Sequence, residues 1–159
     1  MPKYSLAYDL YTTTTSLRSV VGAYMVTDNT RQGQIVEVIM TGSGATTPAD
    51  TAHRCSLAGN TFTGATGASS AGTPIPWNPS ASAAIGAYGI NYTAEPSTVS
   101  AMRAVTFGFN QRGGMRWAVP QGEGYNIANA GATEHGATVT VISSAAGVVD
   151  GSMHFWQYV

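Results

Sequence analysis

Alternation of apolar and polar residues with a period of two constrains the fold of this chain more than any other feature. In the first such segment, the apolar residues Tyr4, Leu6, Tyr8 and Leu10 alternate with smaller or polar residues. This period places every second side chain on the same face of an extended strand, whereas a helix needs a period of about 3.6. The segment is therefore predicted to be a half-buried β-strand.

Segments with strand character follow along the rest of the chain. The most apolar one, 34–41, is rich in β-branched residues, which favours a strand at the centre of a sheet. Weaker strand-like pieces cover 53–57 and 60–63. The remaining predicted strands are 20–26, 85–93, 101–110, 115–119, 125–127, 137–143 and 153–159.

The pattern as a whole predicts the fold class. Gly, Pro, Asp and Asn mark the turns between the strands, and only 81–84, next to serines that can cap a helix, is compatible with a helical turn. Even strand spacing without helical periodicity is typical of sandwiches and barrels. We therefore predict an all-β fold, an antiparallel, jelly-roll-like β-sandwich with eight to ten short strands.

The chain is predicted to form one domain. Its 159 residues are enough to bury a hydrophobic core without disulfides or metals. A stretch from about 42 to 80 is rich in Gly, Ala, Ser, Thr and Pro and is predicted to consist mainly of surface loops. Within it, 74–79 contains three prolines, which exclude a central strand, so we expect an extended loop anchored by Trp77.

The low proportion of charged residues limits the kinds of function that this chain can have. Charged residues make up 9% of the chain, against about 25% in ordinary soluble domains. Charge depletion suits a protein that lives in an assembly, because charges are costly to desolvate at a contact. The few basic residues are scattered, which argues against nucleic-acid binding. We find no apolar stretch of membrane-spanning length and no leader, so we expect cytoplasmic synthesis without export.

No motif predicts a metal site or another cofactor. The histidines, His53, His135 and His154, are far apart in sequence, and none has a second histidine close to it. Glu134 and His135 are a plausible ligand pair, but isolated histidines at such positions are more often solvated or hydrogen-bonded. The prediction is that no metal binds.

Two places in the sequence are candidates for catalytic residues. Cys55 follows His53 by two residues, which puts both on the same face of a strand, and Asp50 lies nearby. A strand with a buried cysteine is the favoured interpretation. Glu123 lies between two glycines in a loop and is interpreted as a solvated charge at a hairpin tip. No catalytic residue is predicted.

The C-terminal part of the chain resembles a known family. The segments that carry the resemblance are 112–124 (RGGMRWAVPQGEG), 137–141 (ATVTV) and the final strand 155–159 (FWQYV). They are similar to small jelly-roll decoration (cement) proteins of tailed bacteriophages. The likeness covers roughly the last third by pattern and the whole chain only by composition. The stretch 42–79 has no counterpart in that family.

The resemblance implies a structural role without enzymatic activity. In that family, trimers on the outside of the icosahedral head tie neighbouring major capsid proteins together. We therefore expect a virion protein on the capsid exterior that forms a homotrimer and binds the major capsid protein. The expected capsid contacts are Pro2, Lys3, Tyr4, Leu6 and Trp77. The residues expected in the core or between protomers are Trp117, Phe155 and Trp156.

Two alternatives remain open at this point. Trp77, Trp117 and Trp156 could stack against sugars, which would suit a carbohydrate-binding jelly-roll module of a phage head or tail appendage. A small β-sandwich enzyme acting through Glu123, His135 or the pair of His53 and Cys55 is the third interpretation.

Overall fold

The structure, a computed structural model, describes residues 1–24, 32–43, 50–62, 69–84, 86–95, 99–130 and 133–158. This part of the chain contains strands and no helix, which confirms the predicted all-β class. The strands are β1 (Lys3–Thr13), β2 (Arg18–Tyr24), β3 (Gln32–Gly42), β4 (Ala52–Phe62), β5 (Ser70–Ala71), β6 (Ile75–Pro76), β7 (Ala87–Ile90), β8 (Val99–Asn110), β9 (Gly114–Ala118), β10 (Tyr125–Ala130), β11 (Thr133–Ser143) and β12 (Gly147–Tyr158).

The strands form two antiparallel sheets that pack against each other. The first, called sheet I, has the order β6–β1–β12–β3, and β9 and β10 lie one after the other along the far side of β3. The second, sheet II, has the order β5–β7–β2–β11–β4–β8. Strand β10 also pairs with the start of β11, so it connects the two sheets.

The strand order is that of a jelly roll. We leave out the short strands β5, β6 and β7 and count β9 and β10 as one strand, which gives eight strands in chain order. The first of these eight then pairs with the last (β1 with β12), the second with the seventh (β2 with β11), the third with the sixth (β3 with β9 and β10) and the fourth with the fifth (β4 with β8). This nested pairing distributes the strands over two sheets, which is the jelly-roll arrangement. The predicted jelly-roll-like sandwich is confirmed, and 34–41 lies in β3 at the interior of sheet I, as expected.

The core lies between the sheets and follows the period-two pattern. In β1, Tyr4, Leu6 and Tyr8 are each at most 2% exposed, whereas the residues between them face outward. Aromatic rings join the two sheets: Phe155 stacks on Tyr4 at 5.5 Å and on Tyr88 at 5.4 Å between ring centroids. Burial of these large apolar side chains supplies the main stabilisation of the fold.

Sheet II carries polar side chains on the face opposite the core; Ser56, Asn60, Thr138 and Thr140 are buried there, whereas Thr106 is exposed. The Ser56 and Thr106 hydroxyls lie 3.0 Å apart, Asn60 Nδ2 donates to Thr138 Oγ1 at 2.8 Å, and Thr140 Oγ1 donates to the Ser56 carbonyl at 3.3 Å. Each of these contacts satisfies a buried polar group, which would be costly to leave unpaired.

The strands differ in number and length from the prediction. The described ranges contain twelve strands instead of eight to ten, and six of these strands have 11 or 12 residues. The pieces predicted at 53–57 and 60–63 belong to the single strand β4, because Ala58 and Gly59 continue its ladder with β11; residue 63 lies outside the described part. Residues 81–84 form no helical turn.

Candidate functional site

Exposed large apolar side chains are concentrated at one edge of the molecule. Among the described residues they are Met1, Leu10, Ile75 and Trp77, with exposed fractions between 59% and 69%. Three of them, Met1, Ile75 and Trp77, lie together where β6 pairs with the start of β1, whereas Leu10 lies near the other end of β1. Exposed apolar residues gathered in one region mark an interaction surface more often than isolated ones do.

Trp77 follows β6 and is tied to β1 by its backbone. Strand β6 pairs with Tyr4 and Ser5, and the Trp77 N–H donates to the Lys3 carbonyl at 2.9 Å. Prolines suit this position, because an edge strand does not need every backbone donor. The segment then turns, with Ala81 N–H donating to the Asn78 carbonyl at 2.9 Å. The indole is thereby placed over the outer face of sheet I.

A cleft of about 700 Å³ opens beside Trp77. This volume lies within the range of small-molecule sites. One wall is fixed from the core side, since Tyr4 Oη donates to the Ser82 carbonyl at 2.8 Å. None of the described residues that line the cleft is acidic. They are Met1, Pro2, Lys3, Tyr4, Trp77, Asn78, Ser80, Ala81, Ser82, Ala83, Trp156 and Gln157.

A carboxylate surrounded by three basic groups lies on the same outer face. Glu37 in β3 accepts from Arg116 Nε at 2.6 Å, from His154 Nδ1 at 2.7 Å and from Lys3 Nζ at 3.4 Å. Its side chain is only 8% exposed, although it points away from the core. Strands β1, β12, β3 and β9 each contribute one member, so this group, called the Glu37 cluster, spans sheet I.

The electrostatics of the cluster keep Glu37 ionised. Burial alone would raise the pKa of the carboxyl, but the hydrogen bonds from Arg116, His154 and Lys3 outweigh it and lower the pKa to about 2. A carboxylate with several charge-assisted donors is a strong and directional anchor. Glu37 therefore carries a full negative charge at neutral pH and holds three side chains from other strands of sheet I.

Some residues predicted as capsid contacts meet at this edge, and others do not. Pro2, Lys3 and Trp77 line one cleft, although more than seventy positions separate the first two from the third. Tyr4 and Leu6 are each 1% exposed, so their side chains offer almost no surface to a partner in this structure, although Tyr4 belongs to the wall of the cleft. The reason is the period-two alternation, which turns both side chains into the core when Lys3 faces outward.

The residues predicted for the core or for a contact between protomers occupy three different environments. Phe155 is fully buried in the core, and Trp117 is half-buried and packs against the core from β9. Trp156 faces outward and lines the cleft. The structure therefore separates Trp156 from the other two and places it with Trp77.

The pair of His53 and Cys55 is buried and serves the fold. Burial raises the pKa of the Cys55 thiol to about 12. His53 Nδ1 contacts Ser143 Oγ at 2.6 Å and Nε2 contacts Gln111 Oε1 at 2.5 Å, so both ring nitrogens have partners other than the thiol. Asp50 pairs instead with the exposed Arg112 at 3.1 Å. The geometry does not form a nucleophile with an oriented base.

The other candidates for chemistry lie apart from this surface. Glu123 is exposed in the loop after β9, where its N–H donates to the Pro120 carbonyl at 3.1 Å. The side chains of Glu134 and His135 are outside the described part of the structure. Within that part, no three residues among His, Cys, Asp and Glu are placed to hold a metal ion. Nor do the described ranges include a helix that could cross a membrane.

The Glu37 cluster is not among the predicted sites, although the sequence contains one signal for it. Glu37 interrupts the apolar run of β3, between Val36 and Val38. An acidic residue in the most apolar strand of a chain is rarely left buried without a partner. That position could have been marked as an ion pair, but the partners come from three other strands and the sequence does not identify them.

Comparison of the chain with protein-family models, with curated proteins and with solved structures gives no match. The functional assignment therefore depends on the geometry of the molecule itself. Fold and surface together define a jelly-roll protein with an exposed aromatic edge beside a cleft and an ion cluster.

Proposed function

We propose that the protein is a structural, non-enzymatic decoration protein that binds the outside of a bacteriophage head through the edge around Trp77. The observation that carries the proposal is the meeting of Pro2, Lys3 and Trp77 at one cleft, with Met1 and Ile75 exposed beside them. Two distant parts of the chain thus form one aromatic and apolar surface. Tryptophan at such a surface is a frequent binding hot spot.

The composition of the chain supports contact with a protein shell. Only 9% of the residues are charged, so few charges have to be desolvated when this surface is covered. We further propose a homotrimer, which would link three modest contacts and raise the avidity for the major capsid protein. Binding only to the assembled shell would then stabilise it by mass action.

The test is binding to bare heads assembled from the major capsid protein encoded with this chain. We expect the wild-type protein to sediment with the heads and to raise their melting temperature. Trp77→Ala should weaken binding at least about tenfold, as expected for a hot-spot residue. Leu10→Ala, which shortens an exposed apolar residue at the other end of β1, is the matched control. Absence of wild-type binding would refute the proposal.

The trimer is tested separately by size exclusion with light scattering. A mass near three times the 16.4 kDa of one chain is expected. A monomer at micromolar concentration would refute the trimer, and it would also remove the avidity argument for capsid binding.

Carbohydrate binding at the same cleft is the second candidate. Trp77 and Trp156 line the cleft together with amide and hydroxyl side chains such as Asn78 and Ser80. An indole face packs against the apolar side of a pyranose, while polar groups bind its hydroxyls. Titration with maltotriose and chitotriose should then quench tryptophan fluorescence in the wild type and not in Trp77→Ala. If neither sugar changes the signal at millimolar concentration, the docking function stands alone.

A further inference from the structure

The orientation of the Trp77 ring depends on two neighbouring side chains. Lys3 Nζ lies 3.9 Å from the ring centroid, and the His154 ring meets the indole at 5.3 Å in an edge-on arrangement. The ring is otherwise largely open, because Trp77 is 59% exposed. A cation over an aromatic face is attractive, and more so when it is partly desolvated.

Both of these side chains end on the same oxygen atom. Lys3 Nζ and His154 Nδ1 both bind Glu37 Oε2, at 3.4 Å and 2.7 Å. When Nδ1 donates to the carboxylate, the other ring nitrogen, Nε2, can accept from Ser152 Oγ, which lies 3.1 Å away. The imidazole is thereby fixed at both nitrogens. Arg116 binds the second oxygen, Oε1, and holds the carboxylate from the opposite side.

We infer that Glu37 is a positioning residue, which fixes Trp77 in its binding orientation through Lys3 and His154. The inference rests on the proposed function in treating Trp77 as a binding residue. An exposed side chain that is already ordered loses less conformational entropy when a partner covers it. Groups that hold a binding residue in this way act as a supporting shell, and Glu37 supports Trp77 without touching the partner.

Glutamine at position 37 would break this support without changing the size of the side chain. It keeps one acceptor oxygen but replaces the other with an NH₂ group, which cannot accept from any of the three donors. The Lys3 ammonium would then lose its counter-ion, and its long flexible side chain would move toward water. Trp77 would lose the cation beside its ring as a consequence.

The experiment observes Trp77 directly and needs no partner. The protein contains three tryptophans, so 5-fluorotryptophan labelling gives three ¹⁹F resonances, which single Trp→Phe variants assign. In Glu37→Gln we expect the Trp77 resonance to shift and to sharpen as the ring gains freedom, while the half-buried Trp117 keeps its resonance. Glu123→Gln, the same substitution at an exposed loop carboxylate, should leave all three unchanged.

Two further variants keep the inference testable if Glu37→Gln does not fold. Lys3→Met removes the cation at a strand end and should shift the Trp77 resonance in the same direction, whereas Lys3→Arg should restore it. An unchanged Trp77 resonance in folded Glu37→Gln, or in Lys3→Met, overturns the inference. Because no capsid is present, this result does not depend on the proposed function.

Binding to heads then measures the effect of positioning. Glu37→Gln should weaken binding about tenfold, which corresponds to about 1.4 kcal/mol. The same change should have no further effect in a Trp77→Ala background, since the residue that Glu37 positions is then absent. Equal losses in both backgrounds would contradict the coupling between the two residues.

Discussion

Gln111 holds together one end of the sandwich, and its removal tests how much that end contributes to stability. Its Nε2 donates to the Val148 carbonyl at 2.7 Å and to the Ser43 carbonyl at 3.3 Å, which fixes Oε1 toward His53. With Oε1 as the acceptor, His53 Nε2 is the donor in that contact, and in a neutral imidazole Nδ1 then accepts from Ser143. This chain of donors joins β4, β11 and β12 with the turns that follow β3 and β8.

Gln111→Ala should destabilise the fold by about 3 kcal/mol. A buried donor left without a partner costs roughly 1–3 kcal/mol, and here His53 Nε2–H would be that donor. His53 is 2% exposed and Gln111 5%, so water has little access to replace the lost acceptor. Loss of the bond to the Val148 carbonyl adds about 1 kcal/mol. That carbonyl still accepts from Ser43 N–H, which limits the damage there.

Urea denaturation at neutral pH measures this difference directly. Gln121→Ala, in the exposed loop after β9, is the matched control and should change the stability by less than about 0.5 kcal/mol. A loss of stability below about 1 kcal/mol in Gln111→Ala would show that the hydrogen bonds of Gln111 and His53 do not hold this end of the sandwich together.

Three other predictions concern separate parts of the molecule. The pKa of Glu37 is lowered from about 4.5 to about 2, so its ionised form stabilises the fold above pH 4.5, by about 3 kcal/mol. The free energy of unfolding should therefore be higher for wild type than for Glu37→Gln at pH 7, and this difference should shrink as the pH falls from 4.5 toward 2. A difference that does not change with pH would contradict the prediction. Cys55 is fully buried and should resist thiol reagents until the protein unfolds, whereas rapid labelling of native protein would argue for an open core. Gly22→Ala should cost more than about 2 kcal/mol, because a Cβ there would lie 2.7 Å from Tyr92 Oη, while the roomier Gly108→Ala serves as control.

The fold class could be predicted because it depends on local information. The alternation of Tyr4, Leu6 and Tyr8 with other residues predicts that the segment is extended, and it also predicts which side chains enter the core. The apolar, β-branched content of 34–41 is also local information, and it located β3 and identified it as an interior strand. Applied strictly, the alternation in β1 would also have excluded Tyr4 and Leu6 from an outer contact surface.

The candidate site could not be predicted in the same way, because it depends on register between distant strands. Glu37 meets His154 only because β3 and β12 pair with these residues opposite each other, and 117 positions separate the two. A shift of one residue would turn one of them into the core. The proline-rich context singles out Trp77 in the sequence, but its neighbours Lys3 and His154 follow from the strand pairing alone.

The position of β12 has a consequence for how the protein is made. This strand lies between β1 and β3, so sheet I cannot acquire its native order before β12 has been synthesised. Thr13 and Gly147, which pair at one end of this ladder, are 134 positions apart. At translation rates of roughly 5–20 residues per second, about 7–27 s separate the synthesis of these two residues. During that time the apolar face of β1 lacks its native neighbour, which prolongs the period in which this segment can aggregate.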